Sequence, residues 1–270
     1  MADENYVNGE WMTDLQGKTA IITGAGQGVG QGIALALAAA GASVVLAGRT
    51  LGKVETTAEL IKSRGGKALA LACNVKAADD LAALVQAAQD TFGGVDILVN
   101  NAGIQHVAPV EQFPPESWDK IIALNLSAVF HGTRLALPGM RTRNWGRIIN
   151  IASVHGLVGS MGKAAYVAAK HGVVGLTKVV GLETATSHVT CNAICPGWVL
   201  TPLVQQQIDD RAAQGGDRLQ AQHDLLAEKQ PSLAFVTPEH LGELVLFLCS
   251  EAGSQVRGAA WNVDGGWLAQ

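Results

Sequence analysis

From Lys18 onward, short apolar runs alternate with longer segments of helical periodicity, and this alternation constrains the fold more than any other feature of the chain. A strand buried on both faces reads as a continuous apolar run, and joining it to a parallel neighbour takes a crossover long enough to hold a helix. The apolar runs at Thr19–Thr23, Ser43–Ala47, Ala68–Ala72, Ile97–Asn100, Arg147–Ile151, Thr190–Cys195 and Ala260–Val263 are the expected strands. Helices are expected at Gly30–Ala40, Lys53–Arg64, Asp79–Thr91, Pro115–Leu137, Tyr166–Glu183 and Pro238–Cys249. Right-handed crossovers between such elements give an α/β fold, a single doubly wound parallel sheet with helices on both faces. Gly65–Gly66, Asp96 and Gly146 stand where turns should precede strands.

A chain of 270 residues, 48% of them hydrophobic, has enough apolar material for one large core, expected over residues 15–270. Residues 1–14, with Asp3, Glu4 and Glu10, lack the basic start and apolar core of a signal peptide and read as a mobile tail. The formal charge of −4 gives no footing for nucleic acid, and no long uninterrupted apolar run argues for a membrane span. Cys191 and Cys195 share one expected strand, where four residues span roughly 13 Å, too far for a disulfide. All four cysteines, Cys73 and Cys249 included, therefore read as small buried hydrophobes in a reducing, cytoplasmic setting. Between Pro202 and Phe235 the sequence turns polar and Gln-rich around Gly215–Gly216. Such an insertion follows a strand's carboxyl end, where ligands bind in α/β sheets, and is expected to be a helical substrate lid over about residues 202–235.

The first strand runs directly into Thr23-Gly24-Ala25-Gly26-Gln27-Gly28-Val29-Gly30 and a helix. Gly24, Gly28 and Gly30 fit G-x-x-x-G-x-G, whereas the commoner G-x-G-x-x-G would need a glycine at Val29 or Gln31. Glycines let the backbone approach a pyrophosphate, and the helix N-terminus offers free N–H groups and a positive dipole end. Gly17-Lys18-Thr19 imitates the end of a P-loop, but Met12 stands where that motif needs glycine. The second strand ends in Ala47-Gly48-Arg49-Thr50, with no carboxylate for the adenosine ribose. Arg49 there could meet a 2′-phosphate, which favours NADP, or stand as a solvated cation.

Tyr166 and Lys170, four apart on an expected helix, share one face, and Ser153 follows the fifth strand. A tyrosine is a poor base near neutrality unless an adjacent cation favours its phenolate, which is the role expected of Lys170. With a serine hydroxyl on the same substrate oxygen, the group becomes a general acid/base for an alkoxide.

Taken in order, Thr23–Gly30, Asn100-Asn101-Ala102-Gly103, Asn125, Ser153, Tyr166-x-x-x-Lys170 and Pro196-Gly197 resemble the short-chain dehydrogenase/reductase family over the chain from residue 15. The resemblance implies a Rossmann-type sheet and hydride transfer to or from a nicotinamide cofactor. Catalysis would rest on Asn125, Ser153, Tyr166 and Lys170, with Asn125 anchoring a water that relays protons to the lysine. The cofactor would lie against Thr23, Gly24, Gln27, Gly28, Val29, Gly30, Arg49, Asn74, Val75, Asn101, Ala102, Gly103, Tyr166, Lys170, Pro196, Gly197, Val199 and Thr201. Asn74-Val75 departs from the family's usual Asp-Val beside the adenine. No metal is expected.

Longer blocks, among them Leu124–Thr133, Ala152–Gly156, Tyr166–Gly175, Ile194–Val199 and Glu228–Leu233, resemble one branch of that family, the bacterial D-3-hydroxybutyrate dehydrogenases. That resemblance implies a small carboxylate substrate held by Gln105, Ser153, His155, Lys163, Tyr166 and Gln207, with Trp198 shaping the pocket. It favours NAD, which those enzymes use without an acidic ribose ligand, and it implies a homotetramer with the fourth and sixth helices and the C-terminal strand at interfaces. Two other readings stand beside it. One is an NADP-dependent ketone or 3-oxoacyl reductase; the other is a non-catalytic dinucleotide-binding regulator, against which the complete tetrad argues.

Overall fold

A computed structural model describes residues 6–7, 10–11, 13–213, 215 and 217–269. Seven parallel strands form its sheet: β1 (Thr19–Thr23), β2 (Ser43–Gly48), β3 (Lys67–Ala72), β4 (Ile97–Asn100), β5 (Gly146–Ile151), β6 (Val189–Pro196) and β7 (Ala260–Val263). They lie in the order β3-β2-β1-β4-β5-β6-β7, so the direction of winding reverses between β1 and β4. The expected strands match within a residue at each end. Most of the expected tail lies outside the described residues; within it, Tyr6–Val7 pairs antiparallel with Glu10–Trp11.

The helices are α1 (Gly28–Ala39), α2 (Leu51–Ser63), α3 (Ala78–Phe92), α4 (Pro115–Ile122), α5 (Ala128–Thr142), α6 (Ala164–Glu183), α7 (Pro202–Ala213), α8 (Arg218–Ala227) and α9 (Pro238–Cys249). Alternation along each strand sends side chains to opposite faces. Ala20 and Ile22 pack with Ile33 and Leu37 of α1, Val54 and Ile61 of α2, and Leu241 and Val245 of α9. Ile21 packs on the other side with Leu81 and Leu84 of α3 and Ala136 and Met140 of α5. Asp79 and Asp80 in the first turn of α3 complement its dipole, and Gly93, at φ +88°, closes it.

The structure alters one sequence expectation and gives substance to another. The single helix expected at Pro115–Leu137 contains a π turn at Ala123–Ser127, where the Ala128 N–H bonds the Ala123 carbonyl. Hydrophobic periodicity cannot reveal a turn that adds one residue without breaking the rod. The whole rod, Pro115–Thr142, is long and apolar enough by composition to cross a membrane, yet its inner residues Leu124, Ala128, Ala136 and Met140 belong to the core under the sheet. The polar 202–235 segment is more than a solvated excursion, because Val204, Ile208, Ala221 and Leu225 form a small core of their own beside Trp198 and Phe235. Arg211–Glu228 at 2.8 Å and Arg218–Asp209 at 3.1 Å join α7 to α8.

A buried polar chain fixes how the strands and α6 stand together. Asn100 Nδ2 donates to Asn150 Oδ1 at 2.9 Å, and Asn150 Nδ2 donates to Thr177 Oγ1 at 2.9 Å. All three residues are buried. Asn150→Leu leaves the Asn100 amide and Thr177 hydroxyl without this partner and is expected to cost about 1–3 kcal/mol, read from urea unfolding midpoints.

Candidate active site

The site lies beyond the carboxyl ends of β1, β4, β5 and β6, across the point where strand order reverses, which is where open α/β sheets bind ligands. Two adjoining cavities occupy it. One, of about 300 Å³, is lined by Gly24, Gln27, Arg49, Cys73, Val75 and Ala102 among others. The second, of about 240 Å³, holds Ser153, Tyr166 and Lys170 in its wall. Asn101, Gly103 and Ile104 line both, so the two form one elongated cleft.

The glycine loop is held shut by its neighbours. Thr23 Oγ1 accepts the Asn101 and Ala102 N–H groups at 3.0 and 3.1 Å, and Asn101 Nδ2 donates to the Thr23 and Gly24 carbonyls at 2.9 and 3.2 Å. Gly24 takes φ +68°, and a Cβ on Gly30 would stand 2.4 Å from the Gly24 carbonyl oxygen. The crowding leaves a backbone-walled cradle at the α1 N-terminus, the arrangement a dinucleotide pyrophosphate requires.

Most residues expected against the cofactor line the cleft. Val29, Pro196, Gly197, Val199 and Thr201 are in the wall of the smaller cavity. Thr23, Gly28 and Gly30 line neither cavity but lie against residues that do, namely Asn101 and Ala102, Thr201, and Gly24 respectively. Asn74 lies apart from both. It is exposed, its Oδ1 accepts the Lys76 N–H at 3.4 Å, and its neighbours Cys73 and Val75 face the cavity instead. Lys53 was not anticipated from sequence; it lines the larger cavity, and its Nζ donates to Gln27 Oε1 at 2.8 Å. One helical turn past Arg49 on a strand-to-helix loop was the available signal.

At the catalytic end, β5 delivers Ser153 and α6 delivers Tyr166 and Lys170. The Ser153 hydroxyl lies against the Tyr166 phenol, where it favours the phenolate. Lys170, 4% exposed, donates from Nζ to the Ile151 carbonyl at 2.7 Å and lies 5.6 Å from the Tyr166 ring centroid. Burial lowers the Lys170 ammonium to about 8, with Cys195 pulling it back up. The expected depression of the phenol by Lys170 is not what this chain alone produces. Burial holds Tyr166 above the ordinary tyrosine value, and only the Ser153 hydroxyl draws it down.

Asn125 is wholly buried in the π turn. Its Oδ1 accepts the Ile104 N–H at 3.0 Å and its Nδ2 donates to the Ile104 carbonyl at 2.9 Å. The side chain thus fixes the loop that lines the cleft.

Gln105, His155, Lys163, Trp198 and Gln207 come together as expected around Ser153 and Tyr166. The His155 N–H donates to Ser153 Oγ at 3.2 Å, and Nδ1 lies 3.2 Å from the same oxygen. Its Nε2 is buried without a protein partner. Burial, and then the Lys163 charge, push the imidazole down to about 4, so it is neutral at physiological pH. Burial also lowers Lys163, whose Nζ stands 5.5 Å from the Trp198 ring centroid. Trp267 was missed in the sequence, since a tryptophan near the chain end carries no local pattern. It closes the wall edge-on to His155 at 5.5 Å and tilted against Trp198 at 5.8 Å. Among the described residues no group of three or more His, Cys, Asp or Glu side chains could hold a metal ion.

The architecture and the site define a nicotinamide-dependent oxidoreductase. A model of the short chain dehydrogenase family matches residues 18–212, and the chain belongs to that family. It is 57% identical over 259 residues to the D-beta-hydroxybutyrate dehydrogenase of Cupriavidus necator, covering 95% of this chain and 100% of that one. The D-beta-hydroxybutyrate dehydrogenase of Rhizobium meliloti is 48% identical over 94% of this chain and 99% of its own. Among solved structures, an actinorhodin polyketide ketoreductase with NADPH superposes with a TM-score of 0.88 at 36% identity, over 93% of this chain and 97% of that one.

Two outcomes follow from the site itself. Gly30→Ala drives a methyl group into the Gly24 carbonyl and is expected to weaken dinucleotide binding by about tenfold or more, read by fluorescence titration. Between pH 6.5 and about 4 the unfolded His155 takes up a proton that the folded one refuses, so stability must fall as pH drops through that window. A series of thermal melts is expected to show this slope in the wild type and a shallower one in His155→Gln.

Proposed function

We propose that this enzyme interconverts (R)-3-hydroxybutyrate and acetoacetate, with NAD as hydride partner. The observation that carries this reading is the convergence of carboxylate-binding groups beside the acid/base. Lys163, the buried Nε2 of neutral His155, Gln105 and Gln207 face a small cavity that already holds Ser153 and Tyr166. A β-keto acid carries its charge two carbons from the reacting carbonyl, so its two ends need these two clusters side by side, and charge-assisted bonds to the carboxylate are the strong ones. The names of the two hydroxybutyrate relatives support the same substrate.

A nicotinamide dinucleotide held along the cleft by the Gly24–Gly28 loop, Asn101, Val199 and Thr201 would supply the hydride acceptor or donor and, when oxidised, a positive charge. The chain's own residues handle the proton. Ser153 Oγ accepts the His155 N–H, and its own proton would turn from the Tyr166 phenol to the substrate oxygen when one is bound. Tyr166 takes the alcohol proton as the carbon loses hydride, and returns it in the reverse direction. Lys170, fixed on the Ile151 carbonyl, would favour the phenolate only once bound substrate and cofactor complete the site. Asn125 serves by holding Ile104 in the cleft wall. Trp198 and Trp267 bound the methyl end.

Arg49, exposed at the rim of the larger cavity, is the observation favouring the NADP-dependent ketoreductase reading. Nicotinamide absorbance assays with (R)-3-hydroxybutyrate, run in parallel with NAD and NADP, decide between them. Fast reduction of NAD is expected; turnover with NADP alone makes Arg49 a phosphate ligand, and silence with both overturns the substrate. Tyr166→Phe is expected to lose about 10³-fold in kcat. Lys163→Ala is expected to raise KM for the acid by about tenfold while sparing turnover of uncharged ketones.

We also assign a cytoplasmic homotetramer. Four buried free cysteines suit a reducing compartment, and Phe130, Val179 and Leu182 leave apolar surface exposed on α5 and α6. Light scattering should give four times the chain mass; a monomer overturns the assembly.

A further inference from the structure

We infer that Gln230 is a positioning residue for substrate recognition, the pin that sets both pocket tryptophans through the exit limb of the lid. It has 0% exposure, although glutamine is rarely buried so completely. Both ends of its amide are engaged. Oε1 accepts the Trp198 N–H at 2.7 Å across 32 residues of chain, and Nε2 donates to the Ala234 carbonyl. The Trp198 carbonyl in turn accepts the Val236 N–H at 2.9 Å, beside a parallel bridge between Val199 and Val236. Both backbone polar groups of Trp198 are therefore bonded to residues 230–236, where the lid returns to the body.

The same limb carries the second tryptophan. The Ser232 N–H donates to the Gly265 carbonyl at 3.0 Å, and Pro231 packs against Gly266. The Asp264 carboxylate accepts the Gly266 and Leu268 N–H groups at 3.1 and 3.0 Å, which closes the turn that presents Trp267 to the cavity. Contacts around the amide leave no slack. A Cβ on Gly197 would lie 2.5 Å from Gln230 Oε1, and one on Gly265 would lie 2.6 Å from Gln230 Cγ. Leu233 takes φ +53°, unusual for leucine, and bonds the Gln230 carbonyl from its own N–H at 2.9 Å. A buried amide that ties this limb to Trp198, on a limb itself bonded to Gly265, is satisfied only in one arrangement, so it specifies the spacing of the two indoles and the space they leave for the substrate's alkyl end.

This inference rests on the substrate reading above, and its test separates the two. Gln230→Met keeps the volume and removes both hydrogen bonds. It is expected to raise KM for (R)-3-hydroxybutyrate by about tenfold with kcat and KM for NAD nearly unmoved. It is also expected to improve relative turnover of 3-hydroxy acids with longer alkyl ends, which general destabilisation would not do. Gly265→Ala, which pushes the limb from its far side, is expected to shift both readouts the same way and serves should Gln230→Met fail to fold. If the wild type does not oxidise 3-hydroxybutyrate, the substrate reading fails, and the positioning role is read from near-ultraviolet circular dichroism. There, Gln230→Met should weaken the coupled indole signal as Trp267→Phe does. Unchanged kinetics and chain-length preference in the folded variant, or an unchanged indole signal, overturn the inference.

Discussion

The enzyme depends on one knot of hydrogen bonds, where the hydroxyl of Thr23 and the amide of Asn101 tie the carboxyl ends of β1 and β4 together. A doubly wound sheet must open a crevice where its winding reverses, and left alone such a crevice is only a gap between loops. Here the two strand ends exchange side-chain-to-backbone bonds in both directions, so the glycine loop is drawn over the start of α1. The cradle at the helix terminus and the floor of the catalytic cavity share Asn101, which sets the distance between cofactor chemistry and proton chemistry.

Burial sets the electrostatics of the catalytic end more than pairing does. Tyr166 is held neutral, His155 is held neutral, and Lys170 is brought down to about 8. Each shift runs toward the uncharged form, as expected of polar groups withdrawn from water. A site that discourages charge in its own groups places a premium on a ligand that brings charge with it. A carboxylate at one end and a cationic ring at the other would each find groups disposed to meet it.

Strand positions were legible because parallel strands buried on both faces leave continuous apolar runs, and Thr23, Ser153, Tyr166 and Lys170 fell at readable offsets from them. Helix ends were legible where Pro238 or Gly93 marks them. The π turn was not, because Ala123–Ser127 keeps helical composition while changing hydrogen-bond register. Asn125 was singled out by its sequence, but its use depends on a contact with Ile104 that lies 21 residues away. Trp267 and Gln230 escaped for a related reason: their partners are set by where the chain after α8 returns to the body of the fold. Asn74 shows the opposite failure, a position correct in order whose side chain turns outward.

The turn at Ala123–Ser127 has a consequence for how this chain can vary. A π turn spends about one residue more than an α turn on nearly the same rotation, so Ala123–Ser127 takes up that residue without turning one half of the rod against the other. The half that meets α6 and the half that lies under the sheet keep the phase of one continuous helix, while their sequence positions are offset by one. Inward-facing residues on the two sides therefore follow two separate counts. The turn is the one place on the rod where the number of residues can change by one with both sets of contacts kept.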